Sequence, residues 1–268
     1  MFVTNNSKQK RGDLLLKKER FLKILSELDK NDIVTVNDLT TLLDCSDMTI
    51  RRDLEELSES GKLIRIHGGA QKITVSPLEE ASHVEKRQVH IKEKQELAKL
   101  AAEQFDNFDT VFIGPGTTLE LIAQNISKDI NSLRVVTISI PVFESFKNSD
   151  LNCELILAGG IYRSRSGTLI GALASNAVSG LKFDKAFVGV NGIQNSQIMT
   201  ANTEEGRIQS VALNNSQTKY IVADRYKLNR NDFYTFYSLD DVDYLVTNKS
   251  TSKETIDYYQ QYVRLITK

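Results

Sequence analysis

Two short stretches carry side chains whose chemistry is specific enough to point at ligands. The first is Ser46-Asp47-Met48-Thr49-Ile50-Arg51-Arg52. Arginine presents a planar fork of donors that can pair bidentately with a guanine edge, and short hydroxyl or methyl-bearing side chains such as Ser46, Thr49 and Met48 fit against A·T pairs or phosphate. Just downstream, Lys62, Arg65, His67 and Lys72 are interleaved with apolar residues and can reach a sugar-phosphate backbone. The second stretch is Ile113-Gly114-Pro115-Gly116-Thr117-Thr118-Leu119-Glu120. Gly114 and Gly116 let backbone N–H groups approach an anion, and the hydroxyls of Thr117 and Thr118 add donors. Each stretch also has a plainer reading. Arg51-Arg52-Asp53 would serve as a solvated helix face with a local ion pair, and Gly-Pro-Gly as a tight turn capped by threonine.

The elements around the first stretch read as a winged helix-turn-helix. Phe21, Ile24, Leu25 and Leu28 fall on one face of a helix over residues 14–29,. Thr35 with Asp38 forms a capping-box-like start for a second helix, whose buried face is Leu39, Leu42 and Leu43,. Asp44 and Cys45 make the turn. Ser46 then caps a third helix with Ile50, Leu54 and Leu57 inward, and Gly61 stands where a left-handed C-cap residue belongs,. Lys62-Leu63-Ile64-Arg65-Ile66-His67-Gly68-Gly69-Ala70-Gln71-Lys72-Ile73 reads as a hairpin wing turning at the glycines,. The N-terminal part of the second helix of such a motif lies against base edges in the major groove. The segment holds nearly as many acids as bases, so a positive face must come from arrangement.

Composition bounds the rest. The chain has 268 residues, 40% hydrophobic and 26% charged, and a formal net charge of −1. That is enough for two domains and offers no whole-molecule attraction to nucleic acid or membrane. No stretch approaches a membrane span, and the polar, basic residues 1–16 lack a signal-peptide core and read as a flexible arm,. Cys45 and Cys153 fall in different expected domains, and no Cys/His cluster has metal-ligand spacing,. The expectation is a protein of the reducing cytoplasm with no disulfide, metal or cofactor.

The expected domains are a winged helix-turn-helix over 17–73, a linker over 74–90 and an effector domain over 91–268. The linker contains Pro77 and the acid pair Glu79-Glu80, and a basic helix follows over 85–105,. Strands are expected at 110–113, 134–139, 154–158, 185–190, 219–223 and 243–246. Helices are expected at 118–126, from 141 to 147, around Asn176 and Ala177, at 203–214, and at 253–261, closing the chain. Strand–helix alternation implies an α/β fold with a mainly parallel sheet covered on both faces, binding ligands beyond its carboxyl edge. Candidate partners for an anion at that edge are Gly160 and Arg163, Asn191, Glu204 or Glu205, and Asp224 with Lys227. A carboxylate there would equally serve as a general base in a sugar-phosphate isomerase or deaminase-like enzyme with a fused DNA-binding domain. His83 and His90 read as surface residues.

These residues resemble a known family. Arg51-Arg52-Asp53-Leu54, Gly61 and His67-Gly68-Gly69-Ala70 resemble the DNA-binding signature of DeoR-type bacterial repressors. The resemblance continues through Arg87, the Gly-Thr-Thr loop, Ala158-Gly159-Gly160, and Ala223-Asp224 with Lys227. It implies a sensor domain with the fold of ribose-5-phosphate isomerase, a phosphorylated sugar as ligand, and a homo-oligomer that represses a sugar-catabolic operon from double-stranded operator DNA. An activator on the same fold is equally compatible with the residues. The loop Gly114 to Glu120 resembles most the subgroup of the lactose and tagatose 6-phosphate pathway, which implies tagatose 6-phosphate as inducer. Two positions depart from the family: Ser139-Ile140 replaces a frequent Thr-Asn, and Arg225-Tyr226 stands where Ser usually precedes the lysine.

Overall fold

The computed structural model describes residues 17–59, 62–72 and 80–268. The chain divides into two units at Val75/Ser76. The arm expected over 1–16, the C-cap Gly61 and the first part of the linker lie outside the described residues.

The first unit holds α1 (Lys17–Asn31), β1 (Ile33–Thr35), α2 (Val36–Leu43), α3 (Asp47–Glu59), β2 (Ile64–Ile66) and β3 (Gly69–Gln71). Its core is one cluster in which Ile24 and Leu28 of α1 meet Val36, Leu39 and Leu43 of α2, Ile50, Leu54 and Leu57 of α3, and Val34 and Ala70 of the sheet. Thr35 caps α2 by accepting from the Asp38 amide at 3.1 Å, and Asp44 ends it in the left-handed region at φ 50°. Leu42 is not on the buried face; it is exposed and Val36 takes its place. β1 is too short to show alternation, yet it lies beside β3 and makes the wing a three-stranded sheet in the order β1-β3-β2. Gly69 is required there, because a Cβ would stand 2.1 Å from the Val34 carbonyl oxygen. Gly68, at φ +80°, makes the turn.

The second unit is built on seven parallel strands. In chain order its elements are α4 (His83–Arg87), α5 (Ile91–Ala102), β4 (Thr110–Ile113), β5 (Leu133–Thr137), α6 (Ile140–Lys147), β6 (Cys153–Leu157), β7 (Ile161–Arg163), β8 (Thr168–Ile170) and α7 (Ala172–Ser179). These are followed by β9 (Phe183–Gly189), β10 (Gly192–Gln194), β11 (Gln197–Thr200), α8 (Thr203–Asn214), β12 (Ser216–Val222), β13 (Tyr234–Ser238), β14 (Tyr244–Val246), α9 (Lys253–Tyr259) and β15 (Arg264–Ile266). The sheet order is β15-β14-β12-β9-β4-β5-β6. Period-two alternation sends Val111 and Ile113 to a core shared with α5 and α6, and Phe112 to a core shared with α7, α8 and α9,. On the first face Phe187, Tyr220 and Tyr244 stack across neighbouring strands, with centroids 4.6 and 5.1 Å apart.

Several expected elements differ. The helix over 85–105 is two helices, broken at His90, which sits at φ 55°. The helix over 118–126 is instead a pair of 3-10 turns, Leu119–Leu121 and Ala123–Asn125. Leu119 and Ile122 are both fully buried, and their i,i+3 spacing suits the tighter winding,. The hairpin β7-β8 and the antiparallel sheet β10-β11-β13 are additions to the parallel scheme. The chain closes on a strand, because α9 stops at Tyr259 and β15 returns to the sheet edge beside β14.

Gly69→Ala should cost about 1–3 kcal/mol of stability by overpacking against β1. An unchanged urea midpoint for the first unit would disprove that close approach.

Candidate functional site

The first unit presents the N-terminal half of α3 to solvent. Met48, Arg51 and Arg52 are exposed and Thr49 is half-buried. Ser46 caps α3 by accepting from the Thr49 amide at 3.3 Å, and the two hydroxyls lie 2.8 Å apart. Arg51 Nε donates to Asp47 Oδ1 at 2.5 Å, one helical turn back; the pair holds the Asp47 carboxyl below its usual range and raises the guanidinium. Arg52 makes no ion pair among the described residues. A groove between α1 and α3 is lined by Lys17, Arg20, Ser46, Met48, Thr49 and Arg52. Lys62 and His67 on the wing are exposed. Arg65 is more committed: Nη1 donates to the Gly69 carbonyl at 2.7 Å and Nε lies 3.6 Å from Glu55, so it braces the wing against α3.

Asp53 does not belong to a solvated face. It is buried, and both its oxygens accept from Arg20 of α1, at 2.6 Å from Nε and 3.0 Å from Nη2. This bidentate pair fixes the rotation of α3 about its axis and so sets which residues face outward. The signal was the Arg20…Asp53 pairing of opposite charges on inward faces, which no local spacing rule picks up.

In the second unit the carboxyl ends of β12, β9, β4 and β5 deliver Asp224 and Lys227, Asn191, the Gly114 to Thr118 turn, and Ser139 in that order. The Gly114 amide donates to Phe187 O at 2.8 Å, which ties the turn to the end of β9. Gly116 sits at φ +148°, and a Cβ on Gly189 would stand 3.1 Å from Pro115 O. Among the described residues the amides of Gly116, Thr117 and Thr118 and the hydroxyls of Thr117 and Thr118 donate to no protein acceptor. The turn therefore presents a row of unmatched donors without a regular α-helix behind it.

Cations gather around this edge. Lys94 is buried; desolvation lowers its pKa while Asp224 and Glu120 oppose the shift. Lys227, only partly accessible, is lowered to about 8 by desolvation, against the pull of Asp224 and with a further push from Arg230, Lys86 and Lys94. Lys86 reaches Asn191 Oδ1 at 3.4 Å and Glu80 at 3.0 Å. Lys94 donates to the Lys86 carbonyl. Lys86 and Lys94 were missed by sequence reading, since they come from the expected linker and from the basic helix.

A second cluster adjoins the first. Arg163 pairs with Glu80, with Ser166 Oγ at 3.0 Å and with Glu205 at 3.3 Å. Glu205 is the carboxylate that points inward, accepting also from Ser166 at 2.5 Å and Thr168 at 2.9 Å. Glu204, named from sequence, is turned outward to Arg207 at 3.6 Å, because residues adjacent on a helix lie about 100° apart. Gly160 serves packing: a Cβ would stand 2.6 Å from Ile170 O.

His83 and His90 are not surface groups. His83 Nε2 lies 2.9 Å from Glu120, a buried carboxylate that also accepts from Arg87 at 2.8 Å. His90 stacks on Tyr226 with centroids 3.7 Å apart. The two departures from the family are accommodated. Ser139 is buried as the cap of α6. Arg225 is drawn to Tyr226 Oη at 2.6 Å and Glu93 at 3.2 Å, which leaves Lys227 on the pocket side. Among the described residues no cluster of His, Cys, Asp and Glu could hold a metal ion, and no helix is long and apolar enough to cross a membrane.

Residues 20–75 match the model of the DeoR-like helix-turn-helix domain, and residues 89–249 match that of the DeoR C terminal sensor domain. Curated relatives extend over nearly the whole chain. The lactose phosphotransferase system repressor of Lactococcus lactis subsp. lactis is 39% identical over 93% of this chain and 98% of its own length. That of Streptococcus mutans serotype c is 38% identical over 87% of this chain and 92% of its own. Among solved structures, ribose 5 phosphate isomerase A from Neisseria gonorrhoeae aligns with 50% of this chain and 52% of its own at 16% identity, with a TM-score of 0.36.

Asp53→Ala removes the buried bidentate acceptor that joins α3 to Arg20 of α1 and should cost about 3 kcal/mol of first-unit stability,. A variant as stable as the parent in chemical denaturation would show that the pair does not hold α3.

Proposed function

The chain belongs to the DeoR family, and on that premise we propose that it is a transcriptional repressor of a lactose or tagatose 6-phosphate catabolic operon, released from operator DNA by a phosphorylated sugar. The observation that carries the sensor half is the Gly116-Thr117-Thr118 turn with its unmatched donors, at the carboxyl edge where Asp224 acts on both Lys94 and Lys227. Two ammonium groups held below their ordinary pKa by desolvation gain most from a dianion. A phosphate there accepts from the turn and neutralises the lysines, and the sugar extends toward Asn191, Arg163 and Asp224. Tagatose 6-phosphate is the first ligand to test, because the relatives are named for lactose uptake.

On the DNA side, Arg51, Arg52, Thr49 and Met48 read base edges from the major groove, and Ser46, Lys62 and His67 meet the backbone. Arg51 exchanges its Asp47 partner for a base. The protein acts in the cytoplasm as a symmetric oligomer on paired half-sites, and ligand shifts it only by binding the non-DNA-binding state more tightly.

The enzyme reading fares worse. Glu205, the inward carboxylate, is held through one oxygen, Oε1, by Ser166, Thr168 and Arg163, and the curated relatives that span nearly the whole chain are named repressors. The same arrangement suits a rigid binding wall.

Fluorescence anisotropy on DNA upstream of the gene, at fixed salt and titrated with sugar phosphates, tests both halves. Binding released by one ketohexose phosphate is the expected result. Indifference to every sugar phosphate would remove the sensor reading, and absence of sequence-specific binding would remove the operator reading. Arg51→Ala should lose about 1–3 kcal/mol of specific binding; wild-type affinity in that variant would exclude Arg51 from base reading.

The lysines add a pH dependence. Below about pH 8 Lys227 carries its charge in both folded and unfolded chains, at a cost to the fold. Between about 8 and the ordinary value of 10.5 the unfolded chain binds the extra proton, so stability gains as pH rises through that window,. A bound phosphate raises the Lys227 pKa, so phosphate binding near pH 8.5 should take up protons. Calorimetry in buffers of different ionisation heat measures this uptake, and Lys227→Met should abolish it. Equal uptake in the variant would place the titrating group elsewhere.

A further inference from the structure

The segment between Glu80 and Arg87 was expected to be linker, yet it closes over the cation cluster by specific contacts. The carboxylate of Glu80, nearly buried, is shared between Arg163 and Lys86. The His83 amide donates to Arg165 O at 2.7 Å, on the turn between β7 and β8. Ser82 and Glu85 form a complete capping box on α4, so this stretch is a built element,. His83 and Arg87 then pin α4 to Glu120, directly after the Gly116-Thr117-Thr118 turn. Arg163 and Lys86 also hold the Glu80 carboxyl below its usual range despite burial.

In position and charge Glu80 is an internal anion that shares the cation cluster with Asp224, Glu205 and Glu120. Lys86 is the shared group, because its ammonium serves Glu80 while its charge is felt by Lys94 and Lys227. Glu80 is also among the first described residues after the boundary that separates the two units. We propose that Glu80 is an electrostatic latch: it fastens the end of the interdomain connector to the empty sensor pocket, and an incoming phosphorylated sugar releases it by taking Lys86 and repelling its carboxylate. Effector and Glu80 compete for the same cations, so occupancy of the pocket is converted into freedom of the chain that leads to the DNA-binding unit. Linkage makes the effect reciprocal: whatever loosens the latch tightens the effector.

This inference rests on the sensor reading, and its test separates the two. Hydrogen exchange by mass spectrometry is compared for the full-length protein and Glu80→Gln, each alone and with tagatose 6-phosphate or inorganic phosphate. In the parent, the probe should protect amides at 114–118 and speed exchange at 80–88. Glu80→Gln should show fast exchange at 80–88 with no probe present and bind the probe about 5- to 50-fold more tightly. A variant that merely damages the pocket would bind more weakly, so the direction of the change is decisive. Glu144→Gln, at an exposed pair with Lys147, is the neutral control. The latch is overturned if probe-free Glu80→Gln exchanges like the parent at 80–88. It is also overturned if a probe that protects 114–118 leaves 80–88 unaltered. Should no sugar phosphate protect 114–118, the sensor reading itself fails, while the probe-free comparison still decides whether Glu80 fastens the connector.

Discussion

Lys86, Lys94, Lys227 and Arg163 converge on one edge of a parallel sheet, where Asp224, Glu80, Glu205 and Glu120 offset them. Buried cations are costly unless paired, and desolvation still holds Lys94 and Lys227 below their ordinary pKa, so this edge favours an added anion,. Parallel topology creates the opportunity. Every strand points the same way, so each loop that follows a strand arrives at the same edge. Residues as distant in sequence as Lys86, Asn191 and Lys227 come together without any local signal that they belong together. The unmatched amides after β4 supply direction, and the lysines supply charge.

The helix-turn-helix unit works under a different constraint. Its core is small, and each helix contributes only a few apolar side chains. Orientation of α3 therefore relies on polar fixings as well: the Arg20–Asp53 fork from below, and Arg65 joined to Glu55 and to the wing at Gly69. With those in place Met48, Arg51 and Arg52 have only one outward direction. The ordinary net charge of the chain is then no obstacle, because acids such as Asp53 are spent inside and bases are left outside.

The two units have separate cores. The connector's end is held by Glu80 through Lys86 and Arg163, two members of the same cation cluster. The locked state of Glu205 fits the same picture. Its Oε1 is fixed by Ser166, Thr168 and Arg163, which stiffens the wall at this edge.

Much was legible from sequence where the determinants are local. The i,i+3 and i,i+4 patterns located α1, α2 and α3; Thr35 and Ser46 announced their caps; the helix expected over 203–214 is α8, which the structure shows capped by Asn202. Hydrophobic runs at 110–113 and 185–190 found the central strands. The wing and recognition-helix motifs resembled those of the family that the comparisons show, and the Gly-Pro-Gly-Thr-Thr stretch was legible as the turn that follows β4. What the sequence did not determine is decided by partners far away in the chain. Whether Glu204 or Glu205 faces the pocket depends on how α8 is rotated against the sheet. Whether His83 and His90 are exposed depends on Glu120 and Tyr226 arriving beside them. Whether 80–90 is linker or wall depends on Arg163 and Asn191. Periodicity and capping are properties of a few consecutive residues and can be read in order along the chain. Charge pairing across a sheet edge is a property of the closed fold, and only the tertiary structure assigns it.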